Sequence, residues 1–247
     1  MVSIRELAWP LVLAAVYTVA RLAGVEWLIS VAALALGGWL VYRPSEWAAE
    51  GMEGLGLALG FSSYTAGVLS SLASNSPEMV MSGRAAYTGI VKGIPEMVDL
   101  AALSVLSAIG FNMMLLGMVI VLSTRGKRSI PTPPEALAHE LELMRFSIVA
   151  ALLISALGVV SLVPPGGGIK TLPREAAVLL VASYIAYVVF MLAENKHKAK
   201  TAGGSLRRSL ALAVAGFAGI AVGGELIVGT VEDLIQVEEA IGVSSVV

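Results

Sequence analysis

Residues 71–80 read SLASNSPEMV. They interrupt a long apolar stretch that runs from Phe61 to Leu72 on one side and from Met79 to Ile90 on the other. Each flank is about half the length an α-helix needs to cross the hydrocarbon of a bilayer. Pro77 cannot donate a backbone hydrogen bond, and it disfavours a helical residue before it. Ser76 suits an N-cap, Pro77 the first helical position and Glu78 the first turn. The pattern therefore predicts two half-helices, 62–73 and 77–90, meeting near mid-membrane. Irregular backbone is tolerated at that depth where it lines a cavity or is buried in protein. Freed carbonyls around Leu72 and Ala73, the hydroxyls of Ser71, Ser74 and Ser76, the amide of Asn75 and the carboxylate of Glu78 are expected to face one point. That is an oxygen-rich site for a hard cation. The plainer alternative is a kinked helix whose Glu78 is protonated or capped. A charged side chain at the centre of a membrane helix costs about 3 kcal/mol or more, which favours a carboxylate with a task.

Composition sets the frame for that reading. The chain has 247 residues, of which 57% are hydrophobic and 14% charged, and its mean hydropathy is +0.86. An ordinary soluble domain carries about 25% charged residues. So much apolar surface has no place in a single soluble core, and the chain reads as an all-α, polytopic membrane helix bundle. The net charge of −2 comes without a basic tail, so nucleic acid is not expected as a partner. No Cys is present, which excludes disulfides, thiolate metal sites and thiol catalysis. The histidines are His139 and His197, both in loops, and neither a His-Glu-x-x-His nor a Gly-x-Ser-x-Gly pattern occurs. An enzyme is not expected, and neither is a bound cofactor.

Apolar runs fall at 7–24, 25–58, 62–90, 97–123, 143–164, 173–194 and 206–240, so about seven membrane helices are expected. The first is read as a retained helix, because Arg21 follows it with no small-residue cleavage site. The runs 25–58, 62–90 and 206–240 are long for one crossing and should be tilted, kinked or broken. With the N-terminus inside, Arg5, Arg125, Lys127, Arg128, Arg145, Lys196, Lys198, Lys200, Arg207 and Arg208 fall inside, and Arg21, Arg84, Lys92, Lys170 and Arg174 outside. Arg43, beside Pro44 within the second run, is assigned to neither side. Residues 133–145 read as an amphipathic surface helix and 195–204 as a basic linker.

Two stretches resemble each other. SEWAAEGMEGLGLALGFSSYTAG starts at 45 and GELIVGTVEDLIQVEEAIGVSSVV at 224. Glu46 matches Glu225 and Glu53 matches Glu232. After a three-residue slip, Gly60–Ser63 matches Gly242–Ser245. As the second and seventh helices, the two copies are separated by an odd number of crossings and must run in opposite directions. Inverted repeats of this kind build many secondary transporters.

A second polar element lies on 97–123, where Ser104, Ser107 and Asn112 stand in an apolar surround. Single serines there usually serve contacts between helices, whereas an amide at this depth needs partners. Taken together, these features resemble the cation/calcium exchanger superfamily, which includes the sodium/calcium exchangers. Its Gly-Thr-Ser-x-Pro-Glu motif is similar to Ala73-Ser74-Asn75-Ser76-Pro77-Glu78. Its Gly-Ser-x-x-x-Asn element is similar to SAIGFN at 107–112. GGELIVGTVEDLI at 223–235 resembles the helix that opens the family's second repeat. The resemblance covers 25–123 and 207–247.

The resemblance implies a cell-membrane, multi-pass antiporter with inverted-repeat architecture, in which calcium is extruded against sodium or protons. Glu78 would be the shared cation carboxylate, with Ser71, Ser74, Asn75 and Asn112 as oxygen ligands. The lipid bilayer and inorganic cations would be its partners. The division implied is an extra helix 1–24, a first repeat 25–123, loops and two linking helices 124–205, and the start of a second repeat 206–247. Asn75 replaces a common hydroxyl, and Ala108 stands about where the second element has Ser. A second Pro-Glu motif does not follow before Val247, so the expected completion is a longer chain or a second copy. The competing readings are a carrier of another cation on the same fold and a non-transporting membrane scaffold or subunit.

Overall fold

The computed structural model describes residues 4–126, 152, 174–194 and 205–241. Seven helices are found among them, and no strand. They are α1 (Ile4–Ala23), α2 (Glu26–Ala58), α3 (Ser63–Ser74), α4 (Ser76–Lys92), α5 (Pro95–Ser123), α6 (Arg174–Glu194) and α7 (Leu206–Ile241). Three helices are long and apolar enough to cross a membrane: α2, α5 and the Leu206–Val237 portion of α7. Six of the expected apolar runs thus fall on helices. The run 143–164 apart from Leu152, the surface helix 133–145, the linker 195–204 and the Gly-x-Ser-Ser turn at 242–245 lie outside the described residues.

Local chemistry sets the helix ends. Gly60 takes φ 84° after the last turn of α2, a conformation that favours glycine. Ser62 then caps α3, its hydroxyl oxygen accepting the Thr65 amide at 3.2 Å. At the other end of this hairpin unit, Gly93 at φ 71° closes α4 and its amide donates to the Gly89 carbonyl. Pro95 opens α5, where a missing amide is tolerated.

The centre of the bundle is the pair α2 and α7. Gly37 lies against Gly223 and Leu226, Pro44 against Gly216 and Gly219, and Gly51 against Ser209 and Ala213. Position rises along α2 as it falls along α7, so the two longest helices run antiparallel. They approach closely because glycines stand at the crossing. A Cβ built on Gly216 would lie 2.6 Å from the Pro44 carbonyl oxygen, and one on Gly51 would lie 2.8 Å from the Ser209 carbonyl oxygen. With no hydrophobic drive between helices in lipid, such backbone-to-backbone packing is what holds a pair together.

The other helices take their places around this pair. Helix α3 packs on α2, with Gly56 against Ala66 and Leu69. Helix α4 packs instead on α5 and α7. Ala85, Met97, Ala101 and Val228 form one buried cluster there, and Ala48, Ala73 and Ile220 form another at the α2–α7 crossing. Helices α4 and α5 are antiparallel, since Ala85 meets Ala101 while Gly89 meets Val98. Helices α4 and α7 are parallel, since Arg84 pairs with Glu225 and Lys92 with Glu232. The end of α5 therefore lies at the same end of the bundle as the start of α7, as expected for the loops 124–142 and 195–205.

Candidate functional site

The break anticipated at 71–80 is a single residue wide. Helix α3 ends at Ser74, α4 begins at Ser76, and Asn75 between them has φ −90° and ψ 1°. Its backbone amide donates to the Ser71 carbonyl at 3.2 Å. Pro77, buried, lacks the amide that would have bonded the Ala73 carbonyl, and the Ser76 hydroxyl donates to that carbonyl at 2.6 Å instead. The Ser74 hydroxyl donates to the Ser71 carbonyl at 3.0 Å. Ser82 donates to the carbonyl of Glu78.

These bonds change the expected donor set. The Ala73 carbonyl is already engaged, and Ala73 is 2% exposed against Ala48 and Ile220. Ser76 is buried and its proton is committed. Ser71, Ser74 and Asn75 are exposed and stand together at the break. A hydroxyl that gives its proton to a carbonyl still presents oxygen lone pairs outward, so Ser74 keeps the capacity to ligate a cation.

Glu78 occupies the first turn of α4 and is half-buried. Its Oε2 is buried and has no hydrogen-bond partner. Buried polar atoms are nearly always paired, so an orphan carboxylate oxygen calls for an explanation such as an ion. The depth of Glu78 follows from its neighbours. Val80 and Met81 touch Gly224, and Val80 joins the cluster around Ala48 and Ile220. That level is close to the midpoint of both α2 and the apolar span of α7.

Asn112 stands on the second helix of the α4–α5 hairpin. From the α4–α5 register, Ala108 is level with Glu78 and Asn112 lies about one turn further on. Met97, Ala101, Ser104 and Ala108 are the more buried positions along α5, and Asn112 follows them at helical spacing. Asn112 itself is exposed, and no hydrogen bond joins it to Glu78 among the described residues. No group of three or more acidic or histidine side chains that would hold a metal occurs among the described residues. The candidate donors are one carboxylate, hydroxyls and side-chain amides, and no hydrogen bond joins the Glu78 carboxylate to the others among the described residues.

Sequence reasoning missed one set of contacts beside the site. Arg84 clasps Glu225 in a bidentate pair, Nε to Oε2 at 2.5 Å and Nη2 to Oε1 at 2.9 Å. It also donates to the Thr88 hydroxyl and stands over the Tyr87 ring. Two turns on, Lys92 pairs with Glu232, whose side chain is only 7% exposed and also accepts from Gln236 at 3.1 Å. The signal was in the spacing. Arg84 and Lys92 are two turns apart on one helix, as are Glu225 and Glu232 on another, but matching them requires knowing that the helices are parallel neighbours. The two carboxylates singled out for their match to Glu46 and Glu53 therefore tie α7 to α4. Glu46 pairs within its own helix, with Arg43.

Neither a curated protein nor a solved structure matches the chain. A family model described as the sodium/calcium exchanger protein matches residues 29–193. The match takes in α2 to α5, the broken helix with Glu78 and Asn112, and runs on through 124–193, stopping short of α7. Since more than half of the chain lies within it, the chain belongs to the sodium/calcium exchanger protein family.

Proposed function

We propose that the chain is a cation antiporter of the exchanger type, moving calcium against sodium or protons across the cell membrane, with Glu78 as the carboxylate the cations share. The observation that carries this reading is the Glu78 Oε2: buried, unpartnered and placed at a helix break level with the middle of the two longest helices. A carboxylate so placed in hydrocarbon is a functional site by default. Ser71, Ser74 and Asn75, exposed at the same break, would supply neutral oxygens, and Asn112 on α5, about one turn beyond the level of Glu78, would supply another. Calcium takes six to eight oxygens, usually with more than one carboxylate. These four neutral oxygens and the Glu78 carboxylate would form part of such a set.

The finer architecture belongs to the same proposal: seven membrane crossings, with α2 and α7 as equivalent helices of an inverted repeat. What supports it is the antiparallel crossing together with the match of Glu46 to Glu225. The same offset sets Gly37 on Gly216, and both are interface glycines that meet partner backbone. The family gives transport a higher prior than enzymatic catalysis. A non-transporting scaffold or subunit is the competing reading.

The test is calcium uptake into vesicles by the protein beside its Glu78→Gln variant. The amide keeps size and hydrogen bonding but removes the charge, so uptake should vanish while the protein still folds. Ser74→Ala should weaken uptake less, because it removes one neutral oxygen of several. Unchanged uptake in Glu78→Gln would make this carboxylate structural and end the exchanger reading of the site.

A further inference from the structure

The Ser76 hydroxyl does a job that neither the family motif nor the donor set requires. Pro77 has no amide proton, so the carbonyl of Ala73, four residues earlier, loses its helical donor. That carbonyl belongs to a residue 2% exposed, wedged between Ala48 and Ile220. Leaving a buried carbonyl unpaired is costly, and in general corresponds to roughly 5- to 150-fold in the population of the state that bears it. Ser76, 8% exposed, donates its hydroxyl proton to this carbonyl at 2.6 Å. The bond stitches the first residue of α4 to the last turn of α3 across the break. Glu78 follows two residues later, within the same first turn.

We propose that Ser76 is a positioning residue. Its side chain stands in for the amide that Pro77 removes, and so fixes the angle between α3 and α4 and the direction in which Glu78 presents its carboxylate. Ser76 acts through Glu78 and is not itself a ligand. The inference rests on the reading of Glu78 as the site carboxylate, but its test needs no transport.

The test uses the full chain in detergent with two readouts. One is the thermal midpoint. The other is the rate at which dicyclohexylcarbodiimide, an apolar reagent for protonated intramembrane carboxyls, labels Glu78, read by peptide mass spectrometry. Ser76→Ala should lower the midpoint by several degrees and change the Glu78 labelling rate about fivefold or more, the lower end of the range above. Ser76→Thr keeps the hydroxyl and should hold both readouts near wild type. Ser76→Ala/Pro77→Ala restores an amide for the Ala73 carbonyl and should recover the midpoint. It should not recover the labelling rate, because the helix now runs straight through the break and turns Glu78 with it. A labelling rate unchanged in Ser76→Ala, or recovery of both readouts in the double variant, would reduce Ser76 to an ordinary stabilising contact. Absence of calcium transport in the wild type would defeat the exchanger proposal and leave both of these readouts intact.

Discussion

Adding one methyl group to Gly216 tests whether the α2–α7 crossing is built as described. The new Cβ would lie 2.6 Å from the Pro44 carbonyl oxygen and 2.7 Å from the Ala48 Cα, and closer still to the Ala48 amide nitrogen. All three are backbone atoms, so no side chain can swing aside. Carbon atoms in contact settle at about 3.5–4.0 Å, so the helices must part locally by about 1 Å. Overpacking of this kind costs about 1–3 kcal/mol. Glycine-to-alanine exchange in a helix otherwise gains about 0.5–1 kcal/mol. The net expectation for Gly216→Ala is a loss of stability of roughly 0–2.5 kcal/mol, the difference of those ranges, against a gain for an unhindered exchange. Gly38→Ala on α2 is the control, because nothing lies within 4 Å of its added Cβ. Unfolding free energies from dodecyl sulfate titration of the detergent-solubilised protein would compare the two. If Gly216→Ala stabilises the protein as much as Gly38→Ala does, the backbone contact is not there and the crossing is wrong.

Lys92→Met should be the most damaging single change in the α4–α7 contacts, because it leaves Glu232 buried at 7% exposure without its cation. Breaking a fully buried pair costs about 3–5 kcal/mol. Lys92 is 50% exposed and Glu232 keeps Gln236, so the loss should fall below that range, and Lys92→Met/Glu232→Gln should recover most of it in the same titration. A double variant as unstable as the single one would refute the pairing. Exchanging the charges of Arg84 and Glu225 should recover stability lost in either single reversal. Additive losses would show that the clasp contributes nothing. Cysteines placed singly at Arg125 and Ser205 should label with an impermeant thiol reagent from one side of the membrane, and a cysteine at Lys92 from the other. Labelling of all three from one side would overturn the helix directions.

The helices were legible in the sequence wherever apolar length and punctuation agreed. Ser76-Pro77-Glu78 marked the start of α4 because proline and a capping residue act locally. The antiparallel run of α2 and α7 was legible through Glu46 and Glu225, by counting crossings. Pairings between helices were not legible. Arg84 was placed on an outer face by charge counting, yet it clasps Glu225 from a distant part of the chain, and periodicity along one helix carries no information about its neighbour. At the site, the sequence named the oxygen atoms but not which were already bonded. Ser74 and Ser76 have the same composition and similar spacing, and only the fold distinguishes the exposed hydroxyl from the buried one.

The one-residue joint at Asn75 also sets an electrical condition. Helix α3 ends there and α4 begins; the Asn75 amide donates back to the Ser71 carbonyl and the Met79 amide to that of Asn75, while Pro77 leaves the ladder without its amide between them. A helix carries roughly half a positive charge at its start and half a negative charge at its end. The Glu78 carboxylate therefore sits in the field of its own helix's positive end, an interaction generally worth about 0.3–2 kcal/mol. On the proposed function, a cation held beside Glu78 would meet a carboxylate whose pull is already partly offset from behind, with the compensating negative end of α3 one residue away. The joint would then moderate the depth of the binding well as well as shape it. A carrier would gain from that moderation, since an ion bound too tightly is never released.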